Sequence, residues 1–177
     1  PFLSPFMIQT SHDARSSMKL CELPDFKKCF TLFLTMLLIS TCFNASAQVE
    51  TAAFDLSINK LTALQNREAK TLEDLKHGTQ VLSHGRKTKT VLLSLPGLHE
   101  SPFQLKTLNQ FFFDEGANVV SLHLPGHQQK DENAINQVTA QEWEDAVSEA
   151  ITMARGLGDE LIVLGYSTGG VLAVQAA

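Results

Sequence analysis

The sequence predicts an α/β fold, a mostly parallel sheet with helices on both faces. Three observations carry this. Short apolar runs at residues 90–95, 118–124 and 161–164 are bounded by Gly or Pro and read as buried strands. The stretches between them place apolar residues at helical spacing. The last run passes directly into Gly165-Tyr166-Ser167-Thr168-Gly169-Gly170 and then an apolar helix beginning near Val171. With 44% apolar and 19% charged residues in 177, the chain is neither disordered nor repetitive.

The sequence opens at Pro1, with Met7 and Met18 following, so residues 1–17 read as upstream read-through or an extended N-terminus. Residues 18–47 read as a signal peptide. Lys19, Lys27 and Lys28 precede the uncharged run 29–43, and Ala45-Ser46-Ala47 supplies a small-x-small cleavage pattern before Gln48. The expectation is export to the periplasm or beyond. The alternative is anchoring through the apolar run, which is shorter than the ~20 residues that span a bilayer. Ile39-Ser40-Thr41-Cys42 only faintly matches a lipoprotein attachment box. Cys21, Cys29 and Cys42 all lie in this leader, so the rest of the sequence has no disulfide and no cysteine nucleophile. From Gln48 onward 16 acidic residues stand against 10 basic ones, which argues against a nucleic-acid partner.

Residues 48–78 form a helical lead-in. Phe54, Ile58, Leu61 and Leu64 share one face, Leu72 and Leu75 follow a polar break, and no chemistry is assigned to the segment. The α/β domain proper is placed at 79–177. Residues 79–82 suit a short edge strand, and the basic run 85–89 suits a solvated hairpin end. After the strand at 90–95 comes Pro96-Gly97-Leu98-His99-Glu100. Ser101-Pro102-Phe103-Gln104 then predicts a capping box, with Leu105, Leu108, Phe111 and Phe112 on the inner face of its helix and Gly116 at the C-terminal cap. The strand at 118–124 leads to Pro125-Gly126-His127, and 128–138 reads as a polar loop. Thr139-Ala140-Gln141-Glu142 predicts a second capping box. Trp143, Ala146, Val147, Ala150, Ile151 and Ala154 follow at helical spacing, with Trp143 as a core anchor.

A strand, then Gly165-x-Ser167-x-Gly169, then a helix is the context in which that motif forms a nucleophile elbow. The Gly97 loop, the Pro125-Gly126-His127 turn and this elbow, each after a strand, together resemble the N-terminal part of an α/β-hydrolase. The likeness covers about residues 80–177 and points to the branch of monoacylglycerol lipases, carboxylesterases and serine aminopeptidase-like hydrolases. Two departures stand out. Pro96-Gly97 replaces the family's His-Gly. The family's acid and base follow the serine as Ser, then Asp or Glu, then His, and neither lies within the sequence. The resemblance therefore implies an α/β-hydrolase fold truncated after the nucleophile-elbow helix, a fragment expected to be inactive alone.

What the resemblance implies for chemistry is a serine hydrolase of carboxylic esters, working through an acyl-enzyme. Ser167 would be the nucleophile, and the backbone N–H groups of Leu98 and Thr168 would hold the oxyanion. His99 and Tyr166 would line the substrate site. His99, His123 and His127 all fall near one end of the sheet, but His99 suits the pocket or loop wall, His123 the core and His127 its turn, so none is expected to be the general base. The substrate would be a small acyl ester or lipid, with contact to a membrane surface arising only through that substrate. Peptide, lactone or thioester hydrolysis is an alternative, as is a non-catalytic binding protein of the same fold. No metal ligand cluster, phosphate loop or dinucleotide fingerprint occurs, and no cofactor is expected. Oligomeric state is not readable.

Overall fold

The computed structural model describes residues 26–176. The chain divides into two compact units, Pro1–Thr41 and Cys42–Ala177. The first unit is described only from Phe26 on, where it is helical. Helix α1 (Phe26–Glu68) runs without a break through the position expected for cleavage, and residues 18–25 of the expected signal lie outside the described residues. Among the described residues no helix is long and apolar enough to cross a membrane.

The second unit is built on four strands, β1 (Gln80–Leu82), β2 (Thr88–Leu95), β3 (Asn118–Ser121) and β4 (Gly158–Gly165), in the order β1-β3-β2-β4. β2 runs parallel to both β3 and β4, and β1 joins antiparallel at the edge of β3. Helices α2 (Lys106–Asp114), α3 (Ala140–Ala154) and α4 (Thr168–Gln175) connect or follow the strands. The fold is thus α/β with a mostly parallel sheet, as the strand-helix alternation predicts. β2 is its axis. Val91, Leu92, Leu93 and Leu95 are fully buried, because a strand paired on both edges and covered on both faces has no solvent side. Val91, Leu93 and Leu95 meet Phe54 and Leu61 of α1 and Val147, Ala150 and Met153 of α3 in one cluster. The face of α1 read from Phe54, Ile58, Leu61 and Leu64 therefore packs as its spacing predicts.

Several local expectations are corrected. α1 ends at Glu68, so the helical lead-in read to residue 78 is too long; a 3₁₀ turn (Leu75–His77) follows, and Leu75 is 69% exposed. Ser101 makes no side-chain cap; a 3₁₀ turn (Pro102–Leu105) precedes α2, and the Ser101 hydroxyl bonds His77 Nδ1 at 2.8 Å instead. Phe111 points outward while Asn109 is buried, so the inner face of α2 is rotated from the expected one. The basic run 85–89 is not a hairpin end, because β3 lies between β1 and β2. There Lys87 pairs with Asp159, and Thr88 is buried. Residues 128–138 are not merely loop: Leu72 pairs with Gln129, and Ala134–Gln137 form a 3₁₀ turn. The Thr139–Glu142 capping box forms as expected.

Two buried polar clusters secure the sheet. At the amino ends of the strands, Asn118 Nδ2 donates to the carbonyls of Arg86 (2.8 Å) and Leu157 (2.7 Å), while its Oδ1 accepts from His84 N (2.9 Å). At the other end, Glu68 accepts from the Thr79 amide (2.7 Å) and hydroxyl (2.8 Å), and the Thr79 hydroxyl accepts from His123 N (3.0 Å). Asn118→Ala leaves the Arg86 carbonyl and the His84 amide without their partner, while Leu157 O keeps Thr88 N (3.1 Å), and the expected cost is about 3 kcal/mol, read as a lower urea midpoint at unchanged slope.

Candidate active site

The carboxyl ends of β2, β3 and β4 gather the loops that the motifs single out. β2 and β4 pair in register up to Leu95 opposite Gly165, and Tyr166 N extends the ladder to Leu95 O (3.1 Å). The chain then turns through Ser167 with φ 52° and ψ −117°, outside the comfortable range of any residue bearing a Cβ, and enters α4. Gly165 and Gly169 are required on either side. A Cβ at Gly165 would collide with the Gly169 carbonyl, and one at Gly169 with the Leu95 carbonyl. Ser167 is left exposed at the head of α4.

The loop after β2 lies directly beside this turn. A Cβ on Gly97 would come within 3.0 Å of the Tyr166 ring and 3.5 Å of Ser167 Cβ. The structure thus brings together Gly97, Leu98, Tyr166, Ser167 and Thr168. Among the described residues, no backbone hydrogen bond within the chain occupies the N–H of Leu98 or of Thr168. Leu98 and Tyr166 are exposed, by 46% and 58%. His99 follows Leu98 with φ 60° and borders a polar hollow of about 200 Å³ shared with Gly126, His127 and Gln128. A cavity of about 370 Å³ between α3 and α4, lined by Val147, Ile151 and Leu172, does not include Ser167.

His123 and His127 are committed to structure. His123 is buried and its Nε2 donates to the His127 carbonyl (2.7 Å), while Nδ1 lies 3.7 Å from Glu68 Oε1. His127 Nδ1 donates to Pro125 O (3.1 Å), which also accepts from Trp143 Nε1 (2.9 Å), and the Trp143 and His127 rings meet edge to face. Trp143 packs half-buried against the core, as expected of an anchor, and also clamps this turn. Gly126, at φ 81°, has Ile135 Cα and Val138 Cγ2 within 2.8 Å of any Cβ placed there. Nε2 of His127 is buried without a partner. Burial holds the His127 pKa below the ordinary histidine value, helped by the nearby His123 and His99 and opposed by its hydrogen bonds to the backbone of Pro125 and Leu124. No group of three or more His, Cys, Asp or Glu side chains suited to a metal occurs among the described residues.

Sequence reading did not find Gln128, whose Nε2 donates to His99 O at 2.7 Å, nor the His77–Ser101 pair. Polar loop composition concealed the first. Ser-Pro at a helix start suggested a cap for the second.

No protein-family model matches the chain, and no curated protein matches it. Among solved structures, it is similar to one described under LipS and LipT, two metagenome-derived lipolytic enzymes said to increase the diversity of known lipase and esterase families. The TM-score is 0.54 at 24% identity, over 60% of this chain and 41% of that one. The likeness establishes a shared fold, and the chain spans about two fifths of that structure's length.

The buried neutral His127 makes stability depend on pH in a defined direction. Its folded-state pKa is lowered, so its contribution is complete above the unfolded value of about 6.5. Below that value the unfolded chain takes up the proton first, and stability falls with pH toward the lower folded-state value. Glu142, whose carboxyl is held below its ordinary value by its bonds to Thr139, acts in a separate, more acidic window. The melting temperature is expected to drop between about pH 7.5 and 5.5, and His127→Phe to flatten that slope, read by circular dichroism.

Proposed function

We propose that the protein carrying this chain is a serine hydrolase of carboxylic esters, of the α/β-hydrolase type, with Ser167 as its nucleophile. The observation that carries the proposal is the serine held at φ 52° between β4 and α4, beside a glycine loop whose Leu98 N–H is unoccupied. Non-glycine residues are seldom kept in such a conformation unless the turn itself is needed. The lipolytic activity of the solved neighbour accords with this reading.

In this mechanism Ser167 Oγ attacks the acyl carbon as a base removes its proton. The carbonyl oxygen becomes an oxyanion, and the N–H groups of Leu98 and Thr168 stabilise it. Such donors act where charge develops only in the transition state, and losing one typically costs about 3–4 kcal/mol. The tetrahedral species expels the alcohol, which leaves with the proton, and water then attacks the acyl-serine to release the acid and regenerate Ser167. His123 and His127 do not supply the base on this reading, since both are buried and bonded to backbone carbonyls inside the fold, while Ser167 is exposed. Base and acid belong, on this reading, to the part of the fold that the chain's two-fifths share of its neighbour does not include. Tyr166 and His99 line the acyl or alcohol side of the site. The substrate is a small acyl ester or lipid, no cofactor takes part, and the signal peptide at 18–47 directs export.

Hydrolysis of p-nitrophenyl esters tests the proposal directly. Ser167→Ala is expected to lower kcat by more than about a thousandfold with the fold intact. Equal turnover by parent and variant would remove Ser167 from the reaction.

A further inference from the structure

Three non-glycine residues among those described have positive φ: His99 at 60°, Gln128 at 49° and Ser167 at 52°. Side chains disfavour this region, and such residues persist only where their surroundings hold them. Two of the three are joined, since the Gln128 side-chain amide donates to the His99 carbonyl at 2.7 Å. Gln128 is itself anchored. Its carbonyl accepts from Glu73 N (3.2 Å), Leu72 pairs with Gln129, and Lys130 N donates to Thr71 O (3.0 Å). The segment after α1, to which sequence reading gave no chemistry, thus backs the residue that grips the loop following β2.

The same segment reaches the loop's far end. His77 sits in the 3₁₀ turn whose cap is Asp74, and its Nδ1 lies 2.8 Å from the buried Ser101 hydroxyl, with its ring edge-on to Phe103. Inside the loop, the backbone hydrogen bond is Glu100 N to Gly97 O (3.1 Å). Loop 97–101 is therefore held from outside at its middle and at its C-terminal end.

We infer that Gln128 and His77 are positioning residues that fix loop 97–101, and through it the Leu98 N–H, beside Ser167. The inference rests on the proposed role of that N–H as an oxyanion donor. Gln128 touches no reacting atom. It acts by holding the His99 carbonyl, which sets the direction of the peptide chain immediately after Leu98.

Gln128→Glu keeps the shape of the side chain, but a carboxylate has no hydrogen to donate and repels the carbonyl. Expected in the full protein is a fall in kcat of about ten- to a hundredfold with KM little changed, because a displaced donor is felt mainly in the transition state. Gln128→Ala should behave alike. His99→Gly removes the positive-φ penalty the brace offsets, so adding Gln128→Glu to it should cost less than in the parent, a coupling a purely structural role would not produce. A readout independent of turnover is amide hydrogen exchange. Glu100, whose N–H is bonded to Gly97 O, should exchange about tenfold faster in Gln128→Glu and in His77→Ala, while Leu92 of β2 stays unchanged and reports the intact fold. Unchanged loop exchange in both variants, or parental kcat in Gln128→Glu, overturns the inference. If hydrolysis proves independent of Ser167, the proposed function fails, and the exchange measurement still decides whether the brace exists.

Discussion

At the end of β2, backbone meets backbone with no room for a side chain, and the geometry of the candidate site descends from that contact. Gly169 abuts the carbonyl of Leu95, and Gly165 abuts Gly169. This packing is possible only because β2 and β4 are in parallel register to their last residues, Leu95 and Gly165. The register in turn follows from two neighbouring apolar strands buried against α1 and α3. A slip of one residue would turn Leu93 and Leu95 to the opposite face and carry Ser167 away from Gly97. Hydrophobic burial of the sheet and placement of the serine are thus one constraint.

Polar bonds then divide the labour between the two ends of the sheet. Asn118 closes the amino ends, where it ties two chain segments, the loop at 84–86 and the turn at Leu157, to one buried side chain. At the carboxyl ends, the Glu68 carboxylate is held by the Thr79 amide and hydroxyl, which links the end of α1 to the start of β1 and to His123. Pro125 O gathers Trp143 and His127 there as well. Buried groups satisfied in this way resist displacement, since each broken bond would leave a desolvated partner. The mobile-looking composition of 128–138 hides a segment anchored to residues 71–73.

Strand positions, the α3 capping box, the apolar face of α1 and the serine turn were legible in the sequence because each rests on local spacing or on a residue type with one physical use. Glycines at 165 and 169 are of that kind. Failures arose where two partners competed for one group. Ser101 reads as a cap, yet its hydroxyl is taken by His77, which is distant in sequence. Phe111 reads as an inner residue, yet α2 presents Asn109 to the interior. The run at 85–89 reads as a hairpin because nothing local reveals that β3 inserts between β1 and β2. Gln128 carries no signal at all: its importance comes from a left-handed backbone and a carbonyl on another loop, neither of which a single residue letter encodes.

The two edges of the sheet are unlike. β1 is three residues long and antiparallel, a short edge with little to offer another strand. β4 is eight residues long, pairs only with β2 among the described residues, and leaves Ile162 42% exposed. Among the described residues the sheet is therefore asymmetric, with its longer unpaired edge on the serine-bearing side and a blunted edge on the other.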